Sequence, residues 1–222
     1  MNKTKIEWCD YSWNPIKGAC PVGCWYCYAR AIYDRFKLNP EPRLDVDELE
    51  KLASFRKTGV KVFACSTFEL FHPCVDGWRD FIFDAIFDRP DLTFIVLTKM
   101  PERIDRAMPN NVWLGASYSG HGDWRRLNDL QRAEAGIKFV SIEPILDRDG
   151  GVALEGFVDW VIVGRLTGYG NKYDPRPELV YNIIEDSQMR GTPLFLKDNL
   201  IPIVGKETVM AHREFPSGGR AT

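Results

Sequence analysis

Short, β-rich apolar runs alternate along this chain with longer segments in which apolar side chains recur every three or four residues. Val62-Phe-Ala-Cys65, Phe94-Ile-Val-Leu97 and Trp160-Val-Ile-Val163 are unbroken apolar runs, the pattern of strands buried on both faces of a parallel sheet. The pattern predicts strands over Ser12–Ile16, Val60–Ser66, Leu92–Thr98, Val112–Ser117, Lys138–Ile142, Trp160–Val163 and Leu194–Leu196. Helices are predicted between them over Tyr26–Phe36, Val46–Lys57, Asp76–Asp88, Pro101–Ala107, Trp124–Ala135 and Glu178–Arg190. Gly59, Pro90, Pro109, Gly136 and Gly191 fall between a helix and the next strand, where the chain must reverse. Asn39–Arg43 reads as a linker. Gly150, Gly151 and Gly168–Pro177 read as loops, and the tail from Lys206 onward is expected to be frayed.

Repeated strand-then-helix units require right-handed parallel crossovers, so the expected fold is α/β: a partial (β/α) barrel of about six or seven parallel strands, or an open doubly wound sheet. Either architecture places its ligand site at the C-terminal ends of the strands. The polar residues that end each strand are therefore candidates: Ser66, Thr67 and Glu69; Thr98 and Lys99; Ser117 and Tyr118; Ser141 and Glu143; Arg165 and Thr167; Lys197 and Asp198. Any one of them also suits a loop entry or helix cap, but the set is expected to converge on one pocket.

Composition narrows this picture. A chain of 222 residues with 45% hydrophobic content can bury one substantial core, so a single domain over 1–222 is expected. A net charge of −2 offers no global field for a polyanion, and any nucleic acid would need a local patch. No apolar stretch is long enough to span a membrane, and Met1–Cys9 lacks the apolar core of a signal peptide, so a cytoplasmic protein with reduced thiols is expected.

Three of the six cysteines, Cys20, Cys24 and Cys27, form a C-x3-C-x2-C cluster with Tyr26 directly before the last. Three thiolates on a [4Fe-4S] cluster leave one iron open to a substrate or cofactor. Structural zinc sites use four closed ligands, for which only Cys9, Cys65 or Cys74 could supply the fourth thiolate. A redox C-x-x-C at Cys24 and Cys27 would leave Cys20 unexplained. Buried free cysteine usually acts as a small apolar residue, which is the expectation for Cys9 and Cys65.

The string Cys20-Pro-Val-Gly-Cys24-Trp-Tyr-Cys27 resembles the signature of the radical S-adenosylmethionine superfamily, at the same place between the first strand and first helix. Taken with Ile6-Glu-Trp8, Trp13-Asn-Pro15, Glu69-Leu-Phe-His72, Val96-Leu-Thr-Lys99, Asn111-Val-Trp-Leu-Gly115, Ser141-Ile-Glu-Pro144, Asp159-Trp-Val-Ile-Val-Gly164 and Leu194-Phe-Leu-Lys197, the chain is most similar to the phage-associated gene-product thirty-seven/sixty-eight family of uncertain function. One departure stands out. Where that family tends to read Gly-Gly-Glu-Ser-Gly, this chain reads Gly164-Arg-Leu-Thr-Gly168, so a basic group replaces an acidic one at Arg165.

The resemblance implies that Cys20, Cys24 and Cys27 bind three irons, and that the fourth chelates the amino and carboxylate groups of S-adenosylmethionine. Reductive cleavage of a sulfur–carbon bond would then start radical chemistry, with electrons from a donor such as flavodoxin or ferredoxin. Tyr26 would lie over the adenine, while Ser66, Ser117, Ser141 and Glu143 would bond the methionine moiety and ribose. Lys99 and Arg165 would suit a carboxylate or phosphate of cofactor or substrate. Cys74 is a candidate hydrogen-atom donor to a substrate radical. The substrate expected by analogy is a nucleobase, nucleotide or nucleic acid; a peptide or small metabolite is the alternative within enzymes. A different class is a non-catalytic Fe-S or zinc module that binds nucleic acid or a partner through Trp8, Trp13, Trp25, Trp78 and Trp124.

Overall fold

A computed structural model describes residues 1–146 and 156–217, so the expected loop at Gly150 and Gly151 and the last residues of the tail lie outside the described residues. The chain divides into two compact units, Met1–Trp113 and Leu114–Thr222. The fold is mixed α/β with mostly parallel strands, the coarse class read from the apolar runs.

The first unit holds strands β1 (Asn2–Lys3), β2 (Tyr11–Trp13), β3 (Ile16–Lys17), β4 (Arg43–Leu44), β5 (Lys61–Ala64) and β6 (Thr93–Thr98), with helices α1 (Tyr28–Phe36), α2 (Val46–Ala53) and α3 (Arg79–Phe87). Its sheet runs β1-β2-β5-β6. β1 is antiparallel to β2, whereas β2, β5 and β6 are parallel, with Trp13 opposite Ala64 and Ala64 opposite Val96. Val62, Phe63, Ala64, Phe94, Ile95 and Val96 are all buried, as unbroken apolar runs require. Trp13 is completely buried and its indole N–H donates to the Glu48 carbonyl of α2 at 2.8 Å, which satisfies its one polar atom. A side chain of this kind contributes about 1.5–3 kcal/mol relative to exposure.

The second unit contains β7 (Val112–Ser117, which begins just before the boundary), β8 (Ile137–Ile142), β9 (Trp160–Val163) and β10 (Leu194–Leu196). Its helices are α4 (Trp124–Arg132), α5 (Pro177–Arg190), α6 (Ile201–Val204) and α7 (Lys206–Ala211). The order is β7-β8-β9-β10, with β8, β9 and β10 parallel. Phe139, Trp160 and Phe195, one from each parallel strand, are fully buried and pack in tilted and edge-on pairs with 5.5 and 6.3 Å between ring centroids.

The departures from the sequence pattern have local causes. The expected first strand is split: β2 ends at Trp13, and β3 pairs antiparallel with β4, Ile16 opposite Leu44. The Asn39–Arg43 linker thus returns the chain into a small ribbon. The helix expected over Pro101–Ala107 is only a 3-10 turn at Pro101–Arg103. Between Pro101 and Pro109 there is too little chain to offset helix nucleation, and Arg103 instead donates to the Phe71 carbonyl and to Asp76. The helix expected to reach Lys57 ends at Ala53, where the Ser54 hydroxyl caps the Glu50 carbonyl at 2.9 Å.

The tail from Lys206 is not frayed over its described length. It forms α7, which buries Val209, and then lies along β10, with Leu196 N–H donating to His212 O and Glu214 N–H to Leu194 O. These bonds occupy backbone groups of β10 that would otherwise face solvent as a sheet edge. Among the described residues, no helix is long and apolar enough to cross a membrane.

Candidate metal and cofactor site

The cysteine loop leaves β3 and returns through α1 to β4. Three bonds pin its entry: Ala19 N–H to Pro40 O at 2.8 Å, Gly18 N–H to the Tyr33 hydroxyl at 2.7 Å, and Arg30 to Cys20 O at 3.2 Å. Gly18 has φ +118°, and a Cβ there would lie 2.5 Å from the Glu41 carbonyl oxygen, so only glycine lets the two arms approach. Gly23, at φ +70°, turns the chain between Cys20 and Cys24. Cys27 is the N-cap residue of α1 and receives no side-chain cap bond, which leaves its thiol uncommitted to capping.

All three thiols are free and partly exposed. Burial pushes the Cys20 thiol pKa up, and the charges of Glu69 and Cys24 push the same way. Backbone N–H groups of Val22 and Glu69 oppose this by donating to its sulfur. Among the described residues, no three His, Cys, Asp or Glu groups are gathered as a metal ion would hold them. The donor set nonetheless suits an iron–sulfur centre chemically: three unbridged thiols on one short loop, with backbone donors already directed at one sulfur.

Lys99 and Ser66 of the first unit bond residues of this loop and of α1. The Tyr26 hydroxyl accepts from Lys99 Nζ at 3.2 Å, and the same ammonium lies 5.6 Å from the Tyr26 ring centroid. Glu69, missed as a site residue except as a strand-ending polar group, is buried. Its carboxylate accepts from Thr98 Oγ1 at 2.6 Å, Lys99 N–H at 2.7 Å and Phe71 N–H at 3.1 Å. The Ser66 hydroxyl donates to Asn14 Oδ1 at 3.0 Å, and its carbonyl accepts from the Tyr28 hydroxyl at 3.2 Å. Ser66 therefore braces the loop as well as ending its strand. Cys65 is buried with φ +55°, a left-handed conformation unusual for a residue with a side chain, and burial drives its thiol far above the ordinary range. Cys74, the candidate hydrogen donor, is exposed at the start of a 3-10 turn, its sulfur 3.1 Å from His72 Nδ1. Trp8 and Trp13 are core residues, whereas Trp25 and Trp124 are about half exposed.

The second unit carries a polar cluster of its own where β8, β9 and β10 end. Glu143 and Lys197 form an ion pair with about a quarter or less of either side chain exposed. The pair lies over Gly164, where an added Cβ would be 3.0 Å from Lys197 Cδ and 3.1 Å from Glu143 Oε1. Lys197→Met would leave the Glu143 charge half-buried and unpaired, so a loss of about 1–3 kcal/mol is expected. The double variant with Glu143→Gln should lose less than the single one in chemical denaturation.

Arg165 is already engaged. Its guanidinium meets Asp174 at 2.5 Å and the Asn199 carbonyl at 2.6 Å, and Asn199 returns a bond to the Arg165 carbonyl. A carboxylate or phosphate at Arg165 would share the guanidinium with Asp174. Ser117 and Ser141 are buried within β7 and β8, and their backbones join Arg126 and Tyr118. An open depression of about 730 Å³ near the turn from α5 to β10, lined by Gln188, Thr192, His212 and Phe215, contains none of the predicted site residues.

These features define an α/β protein with mostly parallel strands and a three-cysteine loop at the start of a helix. The model of a family described as a protein of unknown function (DUF5131) matches residues 3–205, and the chain belongs to that family. No curated protein and no solved structure matches the chain.

Proposed function

We propose that this protein is a radical S-adenosylmethionine enzyme acting in the cytoplasm on a partial (β/α) barrel, with a [4Fe-4S] cluster held by Cys20, Cys24 and Cys27. The observation that carries the proposal is the cysteine loop itself: three free, partly exposed thiols between a strand and a helix. The bound cluster and cofactor would supply reductive cleavage of a sulfur–carbon bond. Tyr26 would offer an aromatic face for adenine, and the Lys99 ammonium beside it a charge for a carboxylate or phosphate.

The substrate we favour is a nucleobase, nucleotide or nucleic acid. Trp25 and Tyr28 are more than half exposed next to the cysteines, with Arg30 and Arg35 on the same helix, a combination of stacking surfaces and phosphate-binding charges. The test is anaerobic reconstitution with iron and sulfide, then reduction by dithionite with S-adenosylmethionine present. Methionine together with 5′-deoxyadenosine or another cleavage fragment is expected by chromatography. A fully loaded sample that forms neither would overturn the proposal, and protein that retains only zinc would favour a non-catalytic module.

A further inference from the structure

We propose that the outer side of α1 is a track for single-stranded nucleic acid, which makes the substrate a polymer rather than a free base or nucleotide. This rests on the nucleic-acid substrate favoured above and concerns the first unit alone.

α1 carries its apolar stripe on the side turned away from the protein. Of its nine residues only Ala29 is buried, and the hydroxyl of Tyr33, one turn on, accepts from Gly18 N–H, so these two mark the inner side. Tyr28, Ile32 and Phe36 recur every four residues and are 56%, 44% and 62% exposed, with Trp25, 53% exposed, just ahead of them. At about 100° per residue Arg35 falls into the same row as Tyr28 and Ile32, whereas Asp34, the one acid of the helix, falls outside it. The Arg35 guanidinium lies 5.4 Å from the Phe36 ring centroid and makes no ion pair among the described residues. Lys37 follows as the C-cap residue. Trp25–Arg43 holds four cations and two anions in a chain whose net charge is −2, so the local patch that a polyanion needs falls here.

So large an apolar row left in water marks an interaction surface. Its make-up indicates the occupant. A hydrophobic protein groove would have to take the Arg35 charge out of water unpaired. Three of the four large exposed groups are aromatic, and Tyr28, Ile32 and Phe36 stand about 6 Å apart along the axis. Aromatic faces accept bases of any sequence, and a cation set among them pairs with phosphate. The Tyr28 hydroxyl donates to the Ser66 carbonyl at 3.2 Å, which fixes the ring. Cys27 directly precedes Tyr28, so a strand laid along α1 leads to the cysteine loop.

Fluorescence anisotropy of a labelled single-stranded DNA of about twelve nucleotides, within the site sizes of single-strand-binding proteins, tests this on the whole chain as purified. Binding is expected at low salt and should weaken steeply as salt rises. Unlabelled single strand should compete, and a mononucleotide or a blunt duplex should not. Tyr28→Ala and Phe36→Ala should each weaken binding about five- to a hundredfold. Arg35→Glu should weaken it and flatten the salt dependence, while Tyr28→Phe, which keeps the ring, should stay near the parent. Phe36 and Arg35 are exposed, so their variants should keep the parent's circular dichroism, and they carry the test even where Tyr28→Ala loses structure. No binding by the folded parent at low salt, binding unchanged in Phe36→Ala and Arg35→Glu, or equal competition by the duplex would overturn the proposal. So would dimerisation in place of DNA binding, abolished by Phe36→Ala, which would assign the stripe to a second copy of the chain. Neither the cluster nor S-adenosylmethionine enters this measurement, so its failure leaves cofactor cleavage standing, and failed cleavage leaves the binding result standing.

Discussion

Alanine in place of Cys20, Cys24 or Cys27, one at a time, is expected to abolish iron retention and cofactor cleavage together. Each thiolate would bind one iron, and two remaining ligands would hold the centre poorly. The loss should be at least about a hundredfold, because disturbing the groups behind metal ligands already costs about 10–100-fold. The fold should tolerate the change: the three side chains are only partly buried, and the loop is pinned by the bonds of Gly18, Ala19 and Arg30 rather than by its thiols. Unfolding temperatures close to the parent's, with iron content near zero, are the expected pair of measurements. Cys74→Ala should retain its iron. Full iron retention by any of the three loop variants would remove that cysteine from the ligand set.

The largest stability effects are expected in the second unit, where Gly115 of β7 faces Phe139 of β8. A Cβ on Gly115 would lie 2.3–2.5 Å from three carbons of the Phe139 ring, far inside van der Waals contact. Phe139 is fully buried against Trp160, so the ring cannot swing out to solvent without losing that packing. Gly115→Ala should therefore cost about 1–3 kcal/mol or more through overpacking. Phe139→Ala, which opens a cavity, should cost about 3–5 kcal/mol. The two should not add. With the ring gone, the new methyl group gains room, and Gly115→Ala combined with Phe139→Ala is expected to be less destabilised than the sum of the singles. Chemical denaturation of the four proteins tests this, and strict additivity would show that the ring and the glycine do not share the space.

Much of this was legible in the residues. The apolar runs ending at Cys65, Leu97 and Val163 marked β5, β6 and β9 to within a residue or two, because a strand covered on both faces must be apolar at every position. The cysteine loop was legible for a similar reason: the spacing of three cysteines on one short segment is local. Glu69 was named as a strand-ending polar group and within the Glu69-Leu-Phe-His72 string, with no role of its own. Nothing near it in sequence reveals that its carboxylate meets Thr98 and Lys99, about thirty residues away. At Arg165 the charge was legible in the sequence, but not that its guanidinium is held by Asp174 and Asn199. The tail was misjudged because its Gly- and Ser-containing end suggested fraying, whereas Val209 and the backbone around His212 are used to cover β10.

By itself, then, the sequence determined the alternation of strands and helices, the parallel α/β class and the three-thiol loop, all of which depend on residues within a few positions of one another. Tertiary structure alone decided which charges are spent on neighbours and which face the cysteines. That choice depends on parallel crossovers that bring Tyr26 to Lys99, Cys20 to Glu69 and Glu143 to Lys197. Periodicity records which face of an element is buried, but not which side chain from a distant element will meet it there.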